Sequence, residues 1–387
     1  MLRKEEIAAI LDQLGEFEES ARSVKDQLLA NLVMISEIPA PSFDEENRIA
    51  FIKNRFIENE LQHISIDELG NIAGMLPGKN PDQNILLNAH VDTVFSKKVD
   101  HTISVGSNKV TGPGVADNSL GVAVLVTLPE LFKEAGIEFE SNIWFLGETR
   151  SLGRGNLEGL RFFLEHSEIE FDNVICIEGA QLGRLSYSSV GMVRGEITAS
   201  VPEEYDWMRM TYTNAIITIN EVINRIVDIP LPQRPKTSIV MGSIEGGTTF
   251  NTIATKANLK FEIRSEDQEQ VNNILAQFED FVAEISSRSG IRVDMELVSE
   301  RKPGGVSFKH PLPRNAHEII KHLGLKPTIT PSTSELSAFI DWGIPAITLG
   351  MTNAEHLRLE TETIEIEPIY KGVAQLLGVI NVIDKGD

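Results

Sequence analysis

The feature that most constrains the fold is the order of predicted strands and helices, which changes twice along the chain. From the amino terminus to residue 188, short apolar segments such as NILLNA, NIWFL and NVICI alternate with segments of helical periodicity. The same alternation returns from residue 301 onwards. Strands that alternate with helices form a sheet covered on both faces, because each connecting helix packs onto one face.

The segment between residues 189 and 300 follows a different order, in which strands and helices succeed one another as β-α-β-β-α-β. Its strand KANLKFEIRS alternates apolar and polar residues, and its segment NAIITINEVINRI carries an apolar stripe of helical spacing. This order is typical of a split, ferredoxin-like α+β unit. The sequence therefore predicts an α/β protein with a three-layer, mixed-sheet domain in two parts, residues 1–188 and 301–387, and an inserted domain at residues 189–300.

The composition of the chain limits its partners and its location. The 387 residues exceed one comfortable hydrophobic core, which agrees with two domains. With 57 acidic against 35 basic residues and no run of Lys or Arg, we expect neither nucleic acid nor an anionic membrane as a partner. We find neither an apolar run of about 20 residues nor a signal peptide, so we expect a cytoplasmic protein. Cys176 is the only cysteine, which excludes internal disulfides and a thiolate zinc cage.

Polar residues follow the predicted strands at the edge of the sheet where open α/β proteins bind ligands. Six residues share this position or a turn beside it: His90, Asp92, Asp117, Glu148, Glu178 and His356. A lone histidine at a strand end is more often structural than a ligand, but here carboxylates on further strands and a turn accompany it. Histidine with carboxylates suits a borderline divalent ion, zinc first, with manganese or cobalt as alternatives. The excess negative charge, which solubility alone would also explain, agrees with a bound cation.

Several motifs spread over nearly the whole chain point to one family of enzymes. They are HVDTV, GPGVADNSLG, GNLEGLR, GGTTFN, EIRSED, STSELSAFIDWGIPAITLG and a late histidine. On these motifs the chain resembles the zinc exopeptidase and deacylase family that includes aminoacylase, acetylornithine deacetylase, succinyl-diaminopimelate desuccinylase and the glutamate-releasing carboxypeptidases. The resemblance implies a metallohydrolase domain with an inserted lid and dimerisation domain, and hence a homodimer that pairs through the lid.

The resemblance also implies a role for each candidate metal-site residue. His90 matches a ligand of one zinc, and Asp92 matches the carboxylate that orients this histidine. Asp117 matches the carboxylate that bridges two zinc ions. Glu178 matches the remaining ligand on the His90 side, and His356 matches a ligand of the other zinc.

Further residues match the catalytic base and the substrate-binding positions of the family. Glu148 matches the first member of a Glu-Glu pair, the general base for the attacking water, so we assign Glu148 and Asp92 to catalysis. Asn251 in GGTTFN and Arg264 in EIRSED match lid residues that hold the substrate. The alternatives are a plain hairpin turn for Asn251 and a salt bridge to a nearby acidic residue for Arg264. The implied substrates are N-acyl amino acids or short peptides with a free carboxylate.

Two departures from the family pattern bear on activity. Thr149 stands where the second carboxylate of the pair would bind the zinc on the His356 side, and a neutral hydroxyl is a poor zinc ligand. We therefore expect one or two zinc ions per chain. The lid histidine that steadies the oxyanion in relatives is replaced by ASVPEEYDWMRM, where Tyr205 or Trp207 is a candidate donor.

Two classes of function follow from these observations. The first is a metal-dependent hydrolase that cleaves an amide bond, with Glu148 beside a metal held by His90, Asp117 and Glu178. The alternative is a catalytically impaired relative that serves as a binding or scaffolding protein, which Thr149 and the missing lid histidine favour. A nucleotide-binding enzyme ranks third, since no G-x-G-x-x-G or Walker turn follows a strand.

Overall fold

The computed structural model describes residues 4–201 and 214–386. Its helices are α1 (Lys4–Asp12), α2 (Leu14–Ser23), α3 (Lys25–Glu37), α4 (Glu46–Glu58), α5 (Leu120–Glu134), α6 (Glu158–His166), α7 (Ala215–Val227), α8 (Gln268–Ser289), α9 (Pro311–His322), α10 (Leu336–Asp341) and α11 (Glu367–Asp384). Its strands are β1 (Gln62–Ile66), β2 (Ile72–Leu76), β3 (Asn80–His90), β4 (Ser104–Val105), β5 (Lys109–Thr111), β6 (Ser141–Glu148), β7 (Asn173–Ala180), β8 (Arg184–Ser186), β9 (Ser188–Ser189), β10 (Gly191–Ser200), β11 (Thr237–Gly246), β12 (Lys256–Ser265), β13 (Arg292–Arg301), β14 (Gly304–Gly305), β15 (Thr328–Ile329), β16 (Ala346–Thr352), β17 (Ala354–Glu355) and β18 (Thr363–Glu365). A π-helical turn, Val115–Ser119, leads into α5.

The chain divides into two compact units, and the first is built from two stretches, Met1–Ser188 and Gly305–Asp387. An eight-stranded sheet with the order β1-β2-β6-β3-β7-β16-β8-β15 forms its centre. β3 pairs in parallel with both β6 and β7, and β7 pairs in parallel with β16. β1 and β2 add antiparallel strands at one edge. The mixed sheet predicted from the sequence is therefore confirmed.

Hydrophobic layers cover both faces of this sheet. Because successive strand residues point to opposite faces, Ile143 and Phe145 of β6 join the large core cluster with residues of α2, α3, α5 and α11. Trp144 and Leu146 join a second cluster with residues of α6 and α10. Every residue of β6 is consequently buried. These layers confirm the three-layer arrangement, and Cys176 is a small buried residue of the second cluster.

Helix α5 is the most apolar helix of the core. With the turn before it, the segment Val115–Glu134 is by length and composition apolar enough to cross a membrane, so the expectation that no segment reaches this length was wrong. However, 89% of the apolar window is buried inside the protein. The segment packs against α3, β3 and β7, which explains its composition as that of a core helix.

A second, small sheet of the first unit has the antiparallel order β17-β18-β5-β4. Thr363 pairs with Thr111 and Glu365 with Lys109, so β18 lies beside β5. No pattern in the sequence predicts this sheet, because strands of two or three residues are too short to show periodicity. It matters because β5 precedes the turn that carries Asp117, and the connection between β17 and β18 carries His356.

The second unit, Ser189–Gly304, contains a four-stranded sheet of order β11-β12-β10-β13. All its pairings are antiparallel, and α7 and α8 pack on it through a separate hydrophobic cluster. The chain order is strand, helix, two strands, helix, strand, with the sheet order of a split βαβ fold. This confirms the ferredoxin-like prediction for the inserted segment.

Two helical glycines allow a test of the packing of α11. A Cβ atom at Gly372 would lie 2.1 Å from the carbonyl oxygen of Met351 in β16, whereas a Cβ atom at Gly15 of α2 meets nothing within 4 Å. We expect Gly372→Ala to cost roughly 1 to 3 kcal/mol because backbone must move. We expect Gly15→Ala to be neutral or to stabilise by up to about 1 kcal/mol. Urea denaturation midpoints measure both, and equal midpoints would contradict this packing.

Candidate metal centre and active site

Parallel pairing places His90 and Glu148 side by side. His90 is the last residue of β3 and lies opposite Glu148, the last residue of β6, in the register of the two strands. Both side chains are buried, with exposed fractions of 3% for His90 and 0% for Glu148. Glu178 lies near the same end of β7, opposite Gly350 of β16. The ends of neighbouring parallel strands thus bring together polar groups that are far apart in the sequence.

His90, Asp117 and Glu178 form a cluster that fits a metal ion. One ligand atom from each residue lies within 4.8 Å of the other two. The His90 Nε2 atom lies 3.1 Å from Asp117 Oδ1. One imidazole and two carboxylates provide three nitrogen and oxygen ligands of the kinds that bind zinc and similar divalent ions. These residues therefore fit one divalent ion.

Asp92 holds the His90 ring in the orientation that metal binding requires. The Nδ1 atom of His90 lies 3.3 Å from Asp92 Oδ1 and 3.1 Å from the Asp92 carbonyl oxygen. The other carboxylate oxygen of Asp92 accepts hydrogen bonds from the Ser42 hydroxyl and, at 2.9 Å, from the Leu152 amide. A carboxylate that fixes one ring nitrogen leaves the other directed at the ion.

Arg48 supports this strand end from α4 and was missed by the sequence analysis. Its guanidinium is fully buried, and it donates to the carbonyl oxygens of Ile38 at 3.0 Å and Val91 at 2.9 Å. Burial lowers the pKa of Arg48 to about 10, although the charges of Asp92 and Glu45 act in the opposite direction. An arginine within a helical segment gives no sequence signal for such a role.

Asn118 joins the two carboxylate ligands and was also missed. Its side-chain nitrogen donates to the carbonyl oxygen of Ile177 at 2.8 Å, and its side-chain oxygen accepts from the amide of Gly179 at 2.8 Å. These two groups flank Glu178, and Asn118 itself follows Asp117. The buried amide therefore sets the position of the Asp117 turn relative to β7. The only sequence signal was its place next to a candidate ligand.

Glu148 has the environment of a general base. Among the described residues, no amide, hydroxyl or basic group donates a hydrogen bond to its buried carboxylate oxygens, and the carboxyl group of Glu335 lies close to them. Burial raises the pKa of Glu148 well above its ordinary value, and the negative charge of Glu335 adds to this. A carboxylate whose pKa is raised towards neutrality accepts a proton more readily at working pH. Glu335, which also accepts a hydrogen bond from Ser151, was missed although it lies in the STSELSAFIDWG motif.

Thr149 and His356 do not complete a second ligand set in the described part of the chain. The Thr149 hydroxyl donates to the carbonyl oxygen of Leu69 at 2.9 Å, and its amide donates to the side chain of Asn71 at 2.9 Å. Thr149 is thus committed to the turn between β1 and β2. His356 is exposed in the connection from β17 to β18 and lies outside the cluster of His90 and its partners. These residues do not fit the second ion of a two-metal centre.

The candidate substrate residues belong to the second unit. Asn251 is exposed and follows β11, with its side-chain oxygen 3.5 Å from the Thr249 hydroxyl. Arg264 of β12 forms an ion pair with Glu262, which also pairs with Arg194. The alternative interpretation of Arg264, a salt bridge to a nearby acidic residue, thus agrees with the structure. Tyr205 and Trp207, the candidate oxyanion donors, lie outside the described residues.

Comparison with known proteins identifies relatives over most of the chain. A model of the peptidase family M20/M25/M40 matches residues 86–381. A LysW-lysine/LysW-ornithine hydrolase of Saccharolobus islandicus is 22% identical over 356 residues, which cover 90% of this chain and 94% of that protein. The di-peptidase Dug1p of Saccharomyces cerevisiae has a TM-score of 0.78 at 15% identity, covering 96% of this chain and 99% of that chain. YXEP of Bacillus subtilis, a dinuclear metal-binding peptidase of the M20 family, has a TM-score of 0.66 at 13% identity, covering 94% and 99%.

Removal of the Asn118 amide tests the positioning of the ligands. We expect Asn118→Ala to weaken zinc binding about 10- to 100-fold, because the Asp117 turn loses its attachment to both sides of Glu178. The matched control is Asn31→Ala, which removes another buried amide, one that bonds Thr127 between α3 and α5. The control should lose stability while its zinc affinity stays unchanged. Competition with a fluorescent chelator measures the affinity, and an equal loss in both variants would contradict the positioning role.

The raised pKa of Glu148 predicts a dependence of stability on pH in the metal-free protein. The native state holds this proton more tightly than the unfolded chain does, so stability falls as pH rises above the ordinary carboxyl pKa of 4.5. We therefore expect metal-free Glu148→Gln to melt at a higher temperature than the metal-free parent near neutral pH. The difference should shrink as pH falls towards that ordinary value. Thermal unfolding across this range measures it, and a lower melting temperature for Glu148→Gln at neutral pH would contradict the assignment.

Proposed function

The chain belongs to the peptidase family M20/M25/M40, and from this we propose that it hydrolyses the amide bond of an N-acyl amino acid or short peptide. In this proposal one divalent ion, zinc in the first place, is held by His90, Asp117 and Glu178. Glu148 serves as the general base. Manganese and cobalt suit the same donor set.

One observation carries the proposal: a three-residue metal cluster lies beside a buried carboxylate that is poised to accept a proton. The cluster atoms lie within 4.8 Å of one another. Glu148 lies opposite His90 in the strand register, and among the described residues no amide, hydroxyl or basic group donates a hydrogen bond to its oxygens. Burying such a carboxylate destabilises a protein, so its presence here is best explained by catalysis.

Each residue of the site has a defined task in this chemistry. When bound, a divalent ion supplies a Lewis acid that polarises the substrate carbonyl and makes water more acidic. Glu148 takes a proton from the attacking water and returns it to the leaving nitrogen. The negative charge of Glu335 keeps the pKa of Glu148 high. Asp92 holds the His90 ring, and Asn118 holds Asp117 against the strand of Glu178.

The substrate class is proposed from the family and from the second unit. Two of the relatives named above are a hydrolase of LysW-lysine and LysW-ornithine and a di-peptidase. We propose that Asn251 and Arg264 bind the free carboxylate of the substrate, since a guanidinium matches a carboxylate in shape and charge. Arg264 would then exchange its present partner, Glu262, for the substrate.

We also propose that the protein is cytoplasmic and forms a homodimer through the second unit. Support comes from β11, which lies at the edge of the four-stranded sheet. This strand exposes Val240, Met241 and Ile244, each by more than two fifths of its surface. An exposed apolar edge strand invites pairing with a second copy.

Replacement of the base separates catalysis from metal binding. We expect Glu148→Gln to lower turnover of acylated amino acids and dipeptides by about 100- to 10,000-fold while zinc content stays at the parental level. The reason is that glutamine keeps the shape of the side chain but accepts no proton. Glu165→Gln, at an exposed position of α6, is the matched control and should keep full turnover.

Metal removal provides the second half of this test. Dialysis against a chelator should abolish turnover in the parent, and added zinc should restore it. After zinc has been added back, metal analysis by mass spectrometry should find zinc in both the parent and Glu148→Gln. A parent protein that binds zinc but turns over none of a broad set of acylated amino acids and dipeptides would contradict the proposed function.

A further inference from the structure

Each carboxylate of the metal cluster lies next to an arginine of the same unit. The Nη1 atom of Arg184 lies 3.7 Å from Glu178 Oε1, and the Nε atom of Arg358 lies 3.8 Å from Asp117 Oδ2. Arg184 is partly buried and is also held by the hydroxyls of Ser186 and Ser332. Arg358 lies in the connection between β17 and β18, where the resemblance led us to expect only a histidine ligand.

The two oxygens of Asp117 face different side chains. Oδ1 lies 3.1 Å from His90 Nε2, on the side where the proposed zinc binds. Oδ2 faces the guanidinium of Arg358. A carboxylate that bridges two ions uses one oxygen for each, so the second oxygen is the one that a second ion would need. In this chain a permanently charged side chain lies beside that oxygen.

The main chain anchors Arg358 to the turn that carries Asp117. The amide of Arg358 donates to Glu362 Oε1 at 2.7 Å. The other oxygen of this fully buried carboxylate accepts from the amide of Ala116 at 3.0 Å and from that of Asp117 at 3.4 Å. Glu362 thus binds both segments at once, which fixes the start of the Arg358 side chain relative to Asp117.

The charges at the site agree with this arrangement. Thr149 contributes no charge, and its hydroxyl is bound to Leu69. The ligand set for a second ion is therefore incomplete, and a second divalent ion would also meet the repulsion of Arg358.

We infer that the guanidinium of Arg358 takes the place of the second metal ion beside Asp117, so that the enzyme works with one metal and one organic cation. This inference rests on the proposed function, because it presupposes the ion held by His90, Asp117 and Glu178. It distinguishes the chain from the dinuclear B. subtilis relative of the same family. The substrate class that fits is again an anion, whose charge the exposed guanidinium of Arg358 can meet.

A cation close to a metal site lowers the affinity of that site, and this predicts the sign of a mutational effect. We expect Arg358→Ala to bind the first zinc about 5- to 20-fold more tightly than the parent, because a repulsive charge beside Asp117 is lost. Arg358→Lys keeps the charge and should stay near the parental affinity. A residue with a purely structural role predicts the opposite sign, since its loss would loosen the Asp117 turn and weaken zinc binding.

Lys109→Ala is the matched control. Like Arg358→Ala, it removes one positive charge, in this case from β5 of the small sheet. Lys109 pairs with Glu355 rather than with Asp117. Its zinc affinity should equal that of the parent at the same ionic strength. Competition with a fluorescent chelator measures the affinities, and mass spectrometry of the metal measures the stoichiometry, which we expect to be one zinc per parental chain. A second, weaker zinc in Arg358→Ala would support the inference further, since Asp117 Oδ2 is then released.

Several results would overturn the inference while leaving the proposed function intact. They are two tightly bound zinc ions per parental chain, an unchanged zinc affinity in Arg358→Ala, or a weakened one. A parental protein that binds no zinc at all would instead contradict the proposed function, whatever the behaviour of the Arg358 variants. The readouts are metal affinity and stoichiometry, so they do not depend on finding the substrate.

Discussion

The mutual repulsion of carboxylates that are buried or half-buried at one end of the main sheet is the constraint on which the rest of the structure depends. The acidic groups concerned are Asp92, Asp117, Glu148, Glu178 and Glu335. Burial raises the pKa of Glu148 well above its ordinary value and that of Glu178 to about 7, even though Arg184 acts to lower the latter. Carboxylates that are removed from water require positive charge close by. The buried imidazole and the arginines of the site supply part of that charge. A divalent ion within the cluster supplies the remainder.

The main chain holds these groups in place against their repulsion. The parallel register of β3, β6 and β7 places the functional strand ends side by side, and the large apolar cluster beneath them stabilises that register. Buried polar side chains then connect the site to the surrounding backbone. Asn118 bonds both neighbours of Glu178, and Glu362 bonds the segments of Asp117 and Arg358. Each of these side chains satisfies main-chain groups that burial would otherwise leave unpaired.

These contacts bear on how the site of this chain differs from a two-metal site in the same family. The peptidase family M20/M25/M40 supplies the fold and the hydrolytic chemistry, and at least one structural relative holds two metal ions. In this chain Thr149 is bound to the turn after β1, while Arg358 faces the outer oxygen of Asp117. A guanidinium supplies charge and hydrogen bonds but no empty orbital. In the proposed one-metal site, polarisation of the substrate carbonyl would therefore depend on a single ion, and more of the catalysis would fall to Glu148 as the proposed base.

The sequence by itself determined the layered α/β fold and the ferredoxin-like order of the inserted segment. It also indicated the three residues whose ligand atoms lie within 4.8 Å of one another, together with His356, which lies outside that cluster. It did so because apolar periodicity is a local property, as in β6, where all residues are buried, and because strand ends are visible in the pattern. Only the tertiary structure revealed the small sheet and the roles of Asn118, Glu335 and Arg358. Their partners are distant in the chain: Arg358 meets Asp117, and Glu335 meets Ser151, across separations that no local pattern records. Long-range pairing of charges depends on how the elements pack, and packing is decided by the whole core at once.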